Sequence, residues 1–276
     1  MEIRVIQSED EYASATERFY SLMALNPQPG TNEGKELELL ARVIEAYEHK
    51  IVPAENSAKL AVAVARGLVR QHRQKLWSAQ WDTPEFKPKW MDRGISPEIV
   101  AAVETGWFPD RGRALDVGCG WGEVAAWFAQ KGYDATGVDY PEAINKALEK
   151  HAHLEPGPRF LALDICDALP LGLQFDIFID RGCLHGIPAV LIGDYVRNIS
   201  AMAAPDARML LFVMAFREGQ PFGDEAETSR HKDWIEHIFF GRFAIESHAP
   251  TYLNTGGIRD ASNPLPGLVF RLKKSA

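Results

Sequence analysis

Residues 114–124 read Ala-Leu-Asp-Val-Gly-Cys-Gly-Trp-Gly-Glu-Val, an apolar run broken by one aspartate and then by glycines at 118, 120 and 122. Glycines at alternate positions behind a strand-like segment let the backbone turn sharply at the strand's carboxyl end, and let a ligand approach where a Cβ would collide. The segment therefore predicts a strand–turn–helix unit and, with it, an α/β fold on a parallel sheet. The spacing is not that of a dinucleotide fingerprint: the third glycine of Gly-x-Gly-x-x-Gly would fall on Glu123, and Gly122 arrives one residue early. A pyrophosphate favours a helix amino terminus without nearby anions. Asp116 and Glu123 flank this turn, which points instead to a ligand with positive charge.

Downstream of residue 95, strand and helix patterns alternate. A helix is expected over 97–105, strands over 113–117, 134–139, 159–164, 175–180 and 208–216, and intervening helices over 121–131, 141–151 and 188–204. Segments 243–250 and 267–274 read as two strands, an antiparallel pair on the sheet edge. Between them and the fifth strand lies "GDEAETSRHKDWIEHIF" (223–239). It reads as an amphipathic helix with Trp234, Ile235, Ile238 and Phe239 facing the core, or alternatively as a substrate lid carrying His231 and His237. Upstream, helix-period patterns cover 8–25, 33–50 and 55–77, followed by an aromatic, proline-rich loop. The expected division is a helical appendage over 1–77, a connecting and cofactor-lid segment over 78–94, and the α/β domain over 95–276.

Composition narrows the class. With 46% hydrophobic and 25% charged residues in 276, the chain is an ordinary globular sequence. Its longest apolar run, Met209 to Phe216, is far short of the roughly 20 residues of a membrane span. The acidic amino terminus lacks the basic and apolar regions of a signal peptide, and three cysteines form no CxxC pair, so a cytoplasmic protein without membrane or metal is expected. A net charge of −8 argues against nucleic acid as a partner. Residues 59–93 depart from that balance, with eight bases against three acids, and Arg66, Arg70 and Arg73 fall on one helical face. That stripe reads as a solvated face or as a phosphate-facing one.

Two more acids follow the next strands. Asp139 ends the second strand, where a carboxylate can accept both hydroxyls of a ribose. Asp164 ends the third, where it can accept an exocyclic amine while Ile165 packs on a purine face. A cationic, unphosphorylated adenosine derivative fits these demands, and S-adenosylmethionine is such a molecule. The motifs "LDVGCGWGE", "ATGVDY", "LALDICD" and "FDIFIDRG" together resemble the class I S-adenosylmethionine-dependent methyltransferases over roughly residues 90–274. The resemblance implies a Rossmann-like, seven-stranded, mostly parallel sheet with the helical appendage in front of it. It implies a cofactor site at Trp90, Asp116, Gly118, Gly120, Asp139, Tyr140, Asp164, Ile165 and Asp180. "WMDRGISPEIVAAVETG" and "DRGCLHGIP" resemble, more narrowly, the thiopurine and thiol methyltransferase-like group. In that group the arginine of Asp-Arg-Gly contacts substrate, and its match here is Arg181. Asp92 and Gly94 match the same group's segment near the cofactor.

Methyl transfer from a sulfonium needs positioning and an acceptor without a proton. A thiol ionises near pH 8.5, and Arg181 beside it would favour the thiolate. An amine or hydroxyl would need a general base, for which His185 is the candidate; as a structural residue, the same histidine would simply hydrogen-bond its turn. Cys183 reads as a small core residue. The expected partner is a small-molecule methyl acceptor. A second resemblance sits in "LNPQPGTNEGKELELLARVIEAYEHKIVP" (25–53), which is similar to the helical stretch of HigA-type antitoxins, where it is coupled to a helix-turn-helix DNA reader. No reader helix follows here. The expected use is a scaffold that covers the cofactor pocket or pairs two subunits, with a DNA-binding regulator as the remote alternative.

Overall fold

The computed structural model describes residues 5–25, 27, 30–50, 58–83, 94–167, 172–215, 223–253 and 265–275. Three helices come first: α1 (Glu9–Leu25), α2 (Asn32–Lys50) and α3 (Ala58–Asp82). The α/β part runs α4 (Pro97–Glu104), β1 (Arg113–Val117), α5 (Glu123–Gln130), β2 (Asp134–Asp139), α6 (Pro141–His151), β3 (Arg159–Ala162), β4 (Phe175–Arg181), α7 (Ala189–Met202), β5 (Ala203–Met214), α8 (Glu225–Ile238), β6 (Phe243–Tyr252) and β7 (Pro266–Lys274). Among the described residues, no helix is long and apolar enough to cross a membrane.

The seven strands lie in the order β3-β2-β1-β4-β5-β7-β6. The first five are parallel, and β7 runs antiparallel to both β5 and β6. From β1 the chain steps outward through β2 to β3, then returns to the other side of β1 at β4. Strand order therefore reverses between β1 and β4, and the carboxyl ends of these two strands open the crevice where such sheets hold ligands. The expected antiparallel pair is present, but β7 enters between β5 and β6 and leaves β6 at the edge. The apolar Leu268-Val269-Phe270 run of β7 is buried on both faces, as an interior strand requires.

Helices cover both faces. Tyr195, Leu191 and Ile199 of α7 pack with Phe178 and Phe239 on one side; Ile99, Phe108 and Phe128 pack against Ile177 and Ile179 on the other. Ile6, Tyr12 and Val69 belong to the first of these clusters, so the amino-terminal helices share the core of the α/β part. Asp224 caps α8 by accepting from the Glu227 amide at 2.9 Å, and Ile235 and Phe239 are buried as its amphipathic pattern requires.

Several boundaries shift by a few residues from those expected, and three of the shifts have a local physical reason. Helix α3 continues through Trp77 to Asp82, because nothing between Trp77 and Asp82 breaks a helix and the first proline is Pro84. Strand β3 stops at Ala162, so Asp164 lies just beyond it, in a turn closed by the Asp167 amide on the Asp164 carbonyl at 2.9 Å. Strand β5 begins at Ala203 and shifts register against β4 around Asp206, whose φ of 62° places it in the left-handed region that aspartate tolerates.

Candidate functional site

The crevice is built by the glycine turn. Gly118 and Gly120 have φ of 67° and 52°. A Cβ on Gly118 would stand 2.7 Å from the Cys183 Cβ, and one on Gly120 would stand 3.3 Å from the Trp81 ring. Only glycine fits either place without strain or displacement. Beneath the turn, buried Asp116 accepts from the Ala125 amide at 3.2 Å and ties β1 to the first turn of α5. Burial pushes its carboxyl up to about 7, against the pull of that amide and of Arg181.

Asp139 accepts the Gly120 amide on Oδ2 at 2.8 Å and the Tyr140 amide on Oδ1 at 2.7 Å. The second-strand acid thus holds the glycine turn in place, and burial raises its carboxyl. Each oxygen keeps a further acceptor position for a ligand hydroxyl. Asp164 accepts from the Cys166 amide at 2.9 Å and, on its other oxygen, from the Tyr140 hydroxyl at 3.2 Å. Ile165 is 4% exposed and packs into the core cluster beside α7, where Asn198 donates to its carbonyl.

Asp180 departs from its expected place in a ligand shell. It is fully buried and accepts from the amides of Gly182, Cys183 and Leu184 and from the Tyr195 hydroxyl. Its charge folds the turn after β4, and burial pushes its carboxyl up to about 6. Arg181, next in the chain, donates from Nη2 to the Leu253 carbonyl at 2.8 Å. The His185 ring packs against Gly182, with Cε1 2.8 Å from where a Cβ would stand. Its Nδ1 is buried without a hydrogen-bond partner, and burial pushes the imidazole down to about 4. Cys183 contacts the glycine turn, and burial raises its thiol. Trp90 and Asp92 lie outside the described residues.

Helix α3 supplies what the sequence reading missed. Arg73 donates to Asp164 at 3.3 Å and lies 5.5 Å over the Tyr140 ring, and Trp81 reaches Gly120. The Trp77 ring comes within 3.7 Å of a Cβ at Gly186 and stacks with Trp81 at 6.5 Å. Positions 73, 77 and 81 share one helix face, turned to the crevice. One turn away, Arg70 pairs with Asp167 at 3.1 Å and Asp194 at 3.2 Å, and Arg66 approaches Asp194 at 3.8 Å. The arginine stripe is therefore not a free solvated face: it docks on carboxylates of the α/β part, with Arg66 and Arg70 still partly exposed. The stripe is visible in the sequence, but its partners lie about a hundred residues away and leave no local signal.

A family described as "Methyltransferase domain" matches residues 114–206, the stretch containing the glycine turn, Asp139, Asp164, Asp180 and Arg181. Residues 114–206 are similar to a methyltransferase domain. A 71-residue stretch is 31% identical to the Bacillus subtilis (strain 168) protein named "Putative methyltransferase YqeM"; the match covers 26% of this chain and 29% of that protein. The chain thus matches under a third of the length of this curated relative. Solved structures share the Rossmann-like methyltransferase fold. One, from work on conversion of a disulfide bond into a thioacetal group during echinomycin biosynthesis, is 24% identical with a TM-score of 0.61, covering 73% of this chain and 92% of that one. A Methanosarcina mazei SAM-dependent methyltransferase is 18% identical with a TM-score of 0.51, covering 66% and 98%. The N-methyltransferase NodS of Bradyrhizobium japonicum, solved with S-adenosylhomocysteine, is 13% identical with a TM-score of 0.51, covering 74% and 99%.

Proposed function

We propose that this protein transfers a methyl group from S-adenosylmethionine to a small molecule, preferentially a thiol or similar soft nucleophile. The observation that carries the reading is the convergence, at the crevice where strand order reverses, of a glycine turn with two carboxylates, Asp139 and Asp164. The residues fit the cofactor. Gly118 and Gly120 leave room that a side chain would fill, Asp139 retains acceptor positions for a ribose diol, and Asp164 can accept an amine once Arg73 withdraws. Trp90, in the pre-motif segment, remains part of the proposed shell by resemblance alone.

When bound, S-adenosylmethionine supplies an electrophilic methyl carbon on a sulfonium. The chain's own contribution is positioning and charge. Arg181, at the end of β4, would favour an anionic acceptor. At pH 7 the His185 imidazole is neutral and weakly basic, which suits an acceptor that arrives already deprotonated. The orphaned Nδ1 of His185 supports a second reading, an N- or O-methyltransferase in which it accepts the acceptor's proton. The antitoxin-like regulator gains nothing from α3, whose arginines are engaged by carboxylates. Of the two roles for the amino-terminal helices, the contacts of Arg73, Trp77 and Trp81 support covering the pocket. The division into a helical appendage over 1–77, a connecting and lid segment over 78–94 and an α/β domain over 95–276 is part of this proposal, although helix α3 runs on to Asp82 and the amino-terminal helices share a core with the α/β part.

The test is S-adenosylhomocysteine formation by the full chain, followed by mass spectrometry with thiols, halides, imidazoles, amines and phenols. Turnover of thiols or halides is expected. Turnover confined to nitrogen or oxygen acceptors would replace the first reading with the second, and no turnover with any acceptor would contradict both.

A further inference from the structure

Arg73 bridges the crevice. From α3 its Nη1 reaches Asp164, beyond β3, and its Nη2 lies 3.9 Å from the Cys183 sulfur, beyond β4. Its side chain is 7% exposed. The same Asp164 carboxylate is the group assigned to an adenine amine above, so Arg73 and the adenosine part of the cofactor claim one acceptor.

The contact is a poor one for a buried guanidinium. Arg73 has a single carboxylate oxygen at 3.3 Å, two thiol sulfurs at 3.8 and 3.9 Å, and an Nε without a partner. Elsewhere the chain makes a well-formed bidentate pair: Arg18 holds both oxygens of Glu36 at 2.8 and 2.9 Å. Beyond its oxygen and sulfur contacts Arg73 has the Tyr140 ring at 5.5 Å, and a buried charge with donors left unfilled is costly. Polar attachments of α3 are also found on either side of Arg73. Arg66 and Arg70 hold Asp194 and Asp167 at one end; at the other, Ser78 donates to Glu142 at 2.6 Å and Lys146 donates to the Trp81 carbonyl.

We infer that α3 is a gate on the cofactor site: Arg73 holds Asp164 when the gate is closed and is displaced when an adenosine ligand takes that carboxylate. The inference rests on the cofactor reading above. Ligand binding must then break the Arg73 contact, so the apparent affinity is lowered by the fraction of molecules held closed. Removing the guanidinium removes the competitor.

The experiment measures S-adenosylhomocysteine affinity by calorimetry on the full chain, for the wild type, Arg73→Ala and Arg70→Ala, with amide hydrogen exchange over α3 in the presence and absence of ligand. Arg73→Ala is expected to tighten binding by about tenfold, the equivalent of about 1.4 kcal/mol. Arg70→Ala, which loosens the helix at a distance from the crevice, is expected to tighten it by a smaller factor and serves if Arg73→Ala does not fold. Ligand is expected to speed exchange in residues 70–82 of the wild type. Weaker or unchanged binding in the variants, or slower exchange in α3 on binding, would overturn the gate and make Arg73 a ligand-facing or inert residue. No binding by any of the three proteins would instead overturn the cofactor reading itself.

Discussion

At the scale of single residues, the site combines acids with different assignments. Asp180 is fully buried and has amide and hydroxyl donors on both oxygens, so it organises the turn that carries Cys183 and His185. Asp180→Ala strands those donors and is expected to cost about 3–5 kcal/mol, read as a lower urea midpoint. Asp116 and Asp180 have carboxyls raised by burial to about 7 and about 6. Their folded-state values lie above the unfolded ones, so the stability they contribute is present below about pH 4 and is lost as pH rises through 6 to 7. Urea midpoints of the wild type are therefore expected to fall relative to Asp116→Asn across that window. Gly118→Ala meets both a φ of 67° and the Cys183 side chain, and is expected to destabilise by about 1–3 kcal/mol. If the acceptor is a thiol, the pH dependence of turnover is expected to rise toward pH 8.5. Were His185 the base, turnover would stay level from pH 7 to 5 and fall as the pH approaches 4. Arg181→Ala is expected to raise the acceptor KM by tenfold or more and leave S-adenosylhomocysteine affinity intact. The glycines, Asp139 and Asp164 are legible in the sequence because their chemistry is local to a strand end. The burial of Asp180 is not, because its donors come from the turn it folds and from Tyr195 on α7.

At the scale of elements, the strands of the α/β part follow from alternating or continuous apolar runs, and their limits shift by only a few residues. Helix α3 is the instructive exception. Its arginine face pairs with Asp164, Asp167 and Asp194, which belong to the β3 turn and α7. A helical period marks a face without saying what covers it. The Arg70 pairs are partly exposed, and such pairs stabilise by roughly 0–1 kcal/mol each. The double variant Arg66→Ala, Arg70→Ala is therefore expected to lose about 1–2 kcal/mol. Hydrogen exchange should rise within residues 63–82 and leave β1, β4 and β5 unchanged; a uniform rise across the sheet would contradict local docking.

At the scale of the whole molecule, the position of the crevice follows from topology. The chain lays β1, β2 and β3 to one side and β4 and β5 to the other, so the glycine turn and the Asp180 turn face each other across the reversal. Alternation in the sequence pointed to a parallel sheet, whereas the insertion of β7 between β5 and β6 depends on long-range pairing that no local pattern carries. The amino-terminal helices belong to this unit through Ile6, Tyr12 and Val69 in the shared core, and they bring α3 over the crevice. The central claim is that this crevice holds S-adenosylmethionine with Asp139 on the ribose. The most direct test is equilibrium binding of S-adenosylhomocysteine to the full chain, wild type against Asp139→Ala. Binding by the wild type and a loss of roughly 10- to 100-fold in the variant are expected, as for hydrogen bonds to a charged group. No binding by the wild type, or equal affinity in the two proteins, would contradict it.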